Sequence, residues 1–199
     1  MNLLEQIRDL EFEAPLPATL LEVEQQFDAP RLSDLAATVR SAMAESRLLS
    51  RIKADDSVAV GVGSRGIANL PTIVKAVIET LQSVGARPFL FPAMGSHGGA
   101  TAEGQKALLN ELGISEQALG VEIRATMEVV QIGELPEGVP LFQDRHAASA
   151  DHTLLVNRVK CHTDFHGVLE SGLTKMAVIG MGTHRGATAM HALGVTGFQ

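Results

Sequence analysis

The chain has 199 residues, 45% of them hydrophobic and 20% charged, with a formal net charge of −7, a composition that fits a folded protein with one sizeable core rather than a disordered one. Aromatic residues make up 4% with no Trp or Tyr, so stacking platforms for single strands are hard to build, and the acidic balance opposes binding to phosphate backbones. Nucleic acid is excluded as an expected partner.

The lone Cys161 cannot form an internal disulfide or a multi-cysteine metal site, which suits a reducing cytosol. The first residues, M-N-L-L-E-Q-I-R-D-L-E, carry acids where a signal peptide needs bases and then an apolar run. No stretch approaches the roughly 18 consecutive apolar residues of a membrane span. A soluble cytoplasmic protein is the expectation.

In chain order, residues 1–30 hold Pro15, Pro17 and Pro30 among acids and read as an N-terminal arm, extended or as a strand pair, ahead of a domain over 31–199. Arg31–Ser46 places Leu32, Leu35, Ala36, Val39, Ala42 and Met43 at helical spacing. Ser57–Val62 is a β-rich run, followed by the turn Gly63–Gly66. A helix follows, with Asn69 as N-cap, Pro71 in its first turn, and Ile73, Val74, Val77, Ile78 and Leu81 on one face until Gly85. Arg87–Ala93 is the next strand, Gly95–Gly99 a loop, and Thr101 with Gly104–Leu112 a further helix closed by Gly113. Two successive strand–loop–helix units predict an α/β fold, a parallel sheet flanked by helices. Glu122–Ile132 and Thr153–Val159 are further strand candidates, and Lys175–Met181 is another short buried run.

Five of the seven histidines, His97, His162, His166, His184 and His191, lie in glycine-rich or charged surroundings with Arg65, Lys160 and Lys175. Imidazole, guanidinium and amine in such loops suit proton transfer, metal binding and the holding of anions. Gly61–Gly66 matches G-x-G-x-x-G, but the second strand ends Phe91-Pro92-Ala93 without the acid that a dinucleotide site places there. Arg65 instead reads as a fork for a carboxylate or phosphate. His97 stands in a loop where a parallel strand would end, the usual ligand position of such sheets. His162 and His166 are four residues apart without the Glu of a zincin, and the seven-residue spacing of His184 and His191 is a weak metal signal. Lys175, among Gly172, Leu173, Met176 and Ala177, could serve as a nucleophile. A non-catalytic anion- or nucleotide-binding module, and a conventional NAD enzyme, are the competing readings.

Taken together, Ser64–Ile67 (S-R-G-I), Pro92–Gln105 (P-A-M-G-S-H-G-G-A-T-A-E-G-Q), Asn157–Phe165 (N-R-V-K-C-H-T-D-F) and Ser171–Lys175 (S-G-L-T-K) resemble the N-terminal domain of the nickel-dependent lactate racemase family, over roughly residues 55–199. The resemblance implies a Rossmann-like domain of a two-domain racemase or epimerase of 2-hydroxy acids, with a second domain beyond this chain and little turnover from this part alone. It implies a nickel-pincer cofactor, a pyridinium mononucleotide with two thio-acid arms made by cofactor-biosynthesis proteins. Lys175 would tether it covalently, Ser64 and Gly66 would contact it, and His191 would ligate nickel. His97 would be one catalytic base and His162 or His166 the other, while Arg65 and Lys160 would hold the substrate. Val62 stands where the family's lactate enzymes carry an acid, and Gly66 where they carry proline. A 2-hydroxy acid other than lactate is therefore at least as well suited.

Overall fold

The computed structural model describes residues 21–160 and 172–194. The chain divides into two units, Met1–Arg31 and Leu32–Gln199. In the first, residues 21–31 form neither helix nor strand and are exposed.

The second unit opens with α1 (Leu35–Glu45), which starts where the Asp34 carboxylate accepts from the Ala37 N–H at 2.8 Å. Leu32, expected on its apolar face, precedes that cap and is exposed. The strands β1 (Ser57–Val62), β2 (Arg87–Pro92) and β5 (His152–Val156) form a parallel sheet in the order β2-β1-β5. Helix α2 (Leu70–Ser83) connects β1 to β2, and α3 (Ala102–Glu111) and α4 (Glu116–Leu119) follow β2. The protein is thus α/β, with a parallel sheet flanked by helices.

Burial explains why β1 reads as a continuous apolar run rather than an alternation, since both of its faces are covered. Val58, Val60 and Val62 face a core with Leu90, with Val74, Ile78 and Leu81 of α2, and with Leu109 of α3. Ala59 belongs to a second core with Phe89, Phe91, Ala93 and Ala147, against which Leu155, Met176 and Met181 pack. Each large side chain so buried contributes about 1.5–3 kcal/mol.

Several expectations are corrected. Asn69 occupies the N-cap position of α2 as expected, but in the left-handed region (φ 60°) and without a capping bond from its side chain. In Glu122–Ile132 only Ile123 bridges to the sheet, beside Leu90; the strand proper is β3 (Val129–Glu134), paired antiparallel with β4 (Pro140–Asp144) as a separate hairpin. A four-residue helix, α5 (Arg145–Ala148), then leads to β5, which ends at Val156 rather than Val159. Lys175–Met181 is not extended: α6 (Leu173–Lys175) continues as a π-helical turn, Met176–Gly180, and then into α7 (Thr183–His191). Among the described residues no helix is long and apolar enough to cross a membrane.

Candidate active site at the carboxyl ends of the parallel strands

All three parallel strands discharge at one end into loops that carry reactive side chains. Beyond β1 come Ser64 and Arg65, beyond β2 come Met94 and His97, and beyond β5 come Arg158 and Lys160. With Lys175, Met176 and Ile179 of the helical segment, these residues line a single cleft of about 250 Å³. Ligands of open α/β sheets bind in this crevice because strand register there brings loops from distant parts of the chain together.

On the described lining Arg65, Arg158, Lys160 and Lys175 supply four cationic groups and no Asp or Glu stands among them, an arrangement that favours a carboxylate or phosphate ligand. Arg65 is exposed and Lys175 half-buried. The walls behind them are apolar, from Met94, Met176 and Ile179.

Within the cleft, the Ser64 hydroxyl and His97 Nδ1 lie 2.5 Å apart. The tautomer in which Nδ1–H donates to Oγ leaves the lone pair on Nε2, the form a general base requires. Burial, then the positive charges of Arg65 and Lys175, hold the His97 pKa below the usual histidine value. All three causes disfavour imidazolium, so the ring is a neutral acceptor at neutral pH.

Glycines allow these parts to approach. The Gly95 N–H donates to the Gly180 carbonyl at 3.1 Å, and a Cβ on Gly180 would sit 2.8 Å from the Ala93 oxygen. The loop that carries His97 and the segment that carries Lys175 are therefore in backbone contact. By contrast, the G-x-G-x-x-G pattern has a packing explanation. A Cβ on Gly61 would meet Phe91 Cζ at 2.7 Å and Leu155 Cδ2 at 2.8 Å, and one on Gly63 would meet Asn157 Cβ at 3.1 Å. The first two glycines let neighbouring strands' side chains cross over β1, which a phosphate turn does not need.

Residues 10–197 match the lactate racemase N-terminal domain family. The chain belongs to that family. No curated protein matches it.

For this lactate racemase N-terminal domain, the structure brings Ser64, Arg65, His97, Lys160 and Lys175 together and leaves other candidates elsewhere. Gly66 is exposed beside Leu112, outside the cleft lining. His191 closes α7 and is also outside the lining; its Nδ1 lies 2.6 Å from the Ala187 carbonyl. A carbonyl only accepts, so Nδ1 carries a proton and Nε2 is the atom that a metal would take. His184 borders a different groove with Phe142 and Arg185, whose guanidinium stacks 4.5 Å over the Phe142 ring. His162 and His166 lie outside the described residues. Among the described residues no three His, Cys, Asp or Glu side chains gather as a metal site.

Arg158 of the N-R-V-K run carries no motif signal of its own; the signal that finds it is topological, because it follows β5 as Arg65 follows β1. Gln105, the last residue of the glycine-rich run, likewise carries no local signal of a role.

Proposed function

We propose that this chain is the catalytic N-terminal domain of a racemase or epimerase acting on a 2-hydroxy acid. The observation that carries the reading is the convergence of Ser64–Arg65, His97, Lys160 and Lys175 from four separate stretches of chain into one cationic cleft. Arg65 would grip the substrate carboxylate through its fork of N–H donors, with Lys160 adding positive charge. His97 would take the hydroxyl proton on Nε2 and return it, with its Nδ1 turned to the Ser64 hydroxyl. Inversion needs a second base on the opposite face of the planar intermediate, a part assigned to His162 or His166.

The residues present fit the nickel-pincer nucleotide in their chemistry. Lys175 offers a primary amine at the cleft wall for a thio-acid arm, and Arg158 a partner for a phosphate. His191 would present Nε2 to nickel, its Nδ1 being turned to the Ala187 carbonyl, though it lies outside the lining. When bound, that group supplies the hydride acceptor that gives the reaction its reversibility, and its own sulfur and carbon donors leave imidazole as the protein's contribution to nickel. Cofactor-making proteins are the implied partners, and a reducing cytoplasm suits a chain with one cysteine.

The test is to produce the full-length protein together with the cofactor-making proteins, map its peptides by mass spectrometry, and follow racemisation of a panel of 2-hydroxy acids by chiral chromatography. The expected result is nickel in the protein and a mass increment on Lys175, both increment and turnover lost in Lys175→Ala. An active enzyme whose Lys175 is unmodified would overturn the proposal. Ligand binding that ignores Lys175→Ala would favour a non-catalytic anion-binding module.

A further inference from the structure

Helix α3 buries Leu109 on the face it turns to the core, and one turn earlier the same face presents Gln105, 1% exposed. That is a position for leucine or methionine. Placing a carboxamide there costs free energy unless every polar atom is paired, and Gln105 Oε1 has no partner among the described residues. A buried amide with its oxygen unpaired in a core position points to a task other than filling the core.

The task is visible in what its other end does. Gln105 Nε2 donates to the Gly95 carbonyl at 2.9 Å and to the His97 carbonyl at 3.1 Å, closing a clamp across the loop whose tip is His97. The clamped peptides hold the rest of the cleft in turn. Gly95 N–H grips the Gly180 carbonyl of the Lys175 segment, and the His97 carbonyl also accepts from Ala100 N–H at 3.2 Å. Gly98 turns the loop back onto α3 with φ at +63°, so closely that a Cβ there would stand 2.7 Å from the Gln105 nitrogen. Only glycine fits both that dihedral and that gap.

We propose that Gln105 is a positioning residue that fixes the His97 imidazole against Ser64 and sets the spacing between the His97 loop and the Lys175 segment. Its consequence for turnover rests on the reading of His97 as a base; its consequence for the ring's placement does not. Gln105 touches no reacting atom.

The test has an arm that needs no catalysis. In the 199-residue chain with ¹⁵N-labelled histidine, the His97 ring is followed through a pH titration by NMR, its signal assigned by loss in His97→Asn. Gln105→Met keeps the volume and removes both donors. It is expected to move the His97 midpoint up toward the ordinary histidine value, because a loosened ring is better solvated and farther from Arg65 and Lys175. Ser115→Ala removes the hydroxyl that caps α4 at Ala118 N–H, away from the His97 loop, and is expected to lower the melting temperature while leaving that midpoint in place. An unmoved His97 titration in folded Gln105→Met overturns the proposal, and so does an equal shift from Ser115→Ala. Should Gln105→Met not fold, the unaltered protein still decides: Gln105 carboxamide protons protected from solvent exchange support the clamp, and freely exchanging ones overturn it.

In the cofactor-loaded full-length enzyme, Gln105→Met is expected to lower kcat by about tenfold to a hundredfold with little change in KM, the penalty of a displaced base. Full turnover in His97→Asn would remove the catalytic reading while leaving the titration result standing. The two failures are therefore separable.

Discussion

Gly180→Ala perturbs a backbone junction between the His97 loop and the Lys175 segment. Gly180 closes the π-helical turn outside the left-handed region, so an alanine meets no backbone strain and the effect is purely steric. The added Cβ would stand 2.5 Å from Met176 Cε and 2.8 Å from the Ala93 carbonyl oxygen. The methionine methyl is the free end of a flexible side chain and can swing away. The carbonyl cannot, because Ala93 N–H is tied to Val62 at the end of the sheet by a 2.9 Å bond. Reaching an ordinary contact of 3.4 Å therefore requires the end of β2 and the Lys175 segment to separate by about 0.6 Å, against the Gly95–Gly180 hydrogen bond. Overpacking of this kind costs about 1–3 kcal/mol, which in a unit of this size lowers the melting temperature by roughly 3–10 °C. The same opening carries Lys175 away from His97, and a displacement of that order is expected to reduce turnover by about tenfold or more. Thermal unfolding followed by circular dichroism, with racemisation by the loaded enzyme, reads both effects. A variant that melts within about 1 °C of the parent and turns over normally would refute the claim that this contact sets the site.

Three further outcomes follow from the same geometry. Arg65→Gln removes a positive charge that depresses the His97 pKa, so the acid limb of the rate profile, expected below the ordinary histidine range in the parent, should move to higher pH; an unmoved limb would show that Arg65 does not face the ring. Gly61→Val introduces a good strand former where a Cβ meets Phe91 and Leu155, and the overpacking should lower stability by about 1–3 kcal/mol despite the better propensity; an equal or higher melting temperature would return this glycine to a phosphate-binding role. Asp151 accepts from the Ser57 hydroxyl at 2.6 Å and the Ser57 N–H at 2.8 Å, bonds that hold its pKa below the usual carboxylate value. A lowered folded-state pKa contributes stability above the unfolded-state value and loses it as pH falls through the folded one. Asp151→Asn should thus melt below the parent at neutral pH, with the gap closing as the pH falls below the ordinary carboxylate range; a gap that persists in acid would mean the carboxylate charge is irrelevant.

How much of this was legible in the sequence follows the range of the interactions involved. The β1–α2–β2–α3 stretch could be read because each element carries its own period and its own breakers, as with Gly85 after α2 and the Thr101 cap before α3. The hairpin of β3 and β4 could not, since Val130 and Ile132 are exposed and the apolar letters of that stretch mark no core. Lys175–Met181 is a run of seven residues too short for periodicity to separate a strand from a helix. Its helical form goes with the close seat of Gly180 on Ala93 and of Gly182 against the Phe142 carbonyl, contacts with residues far back in the chain.

The site divides along the same line. That His97 and Arg65 would stand at strand ends was readable from the βα pattern alone, and the same logic would have brought in Arg158 had β5 been given its proper end at Val156. What no local pattern could supply is the approach of the His97 loop to the Lys175 segment, to which the Gly95–Gly180 hydrogen bond and the seat of Gly180 on Ala93 contribute. Gln105 explains why that contact stays out of view in the sequence. Its helical position calls for an apolar residue, its two bonds run to main-chain carbonyls that carry no side-chain signature, and a carboxamide in a helix otherwise looks like an ordinary solvent-facing residue. Only the burial of that amide separates the two cases, and burial is a property of the assembled fold.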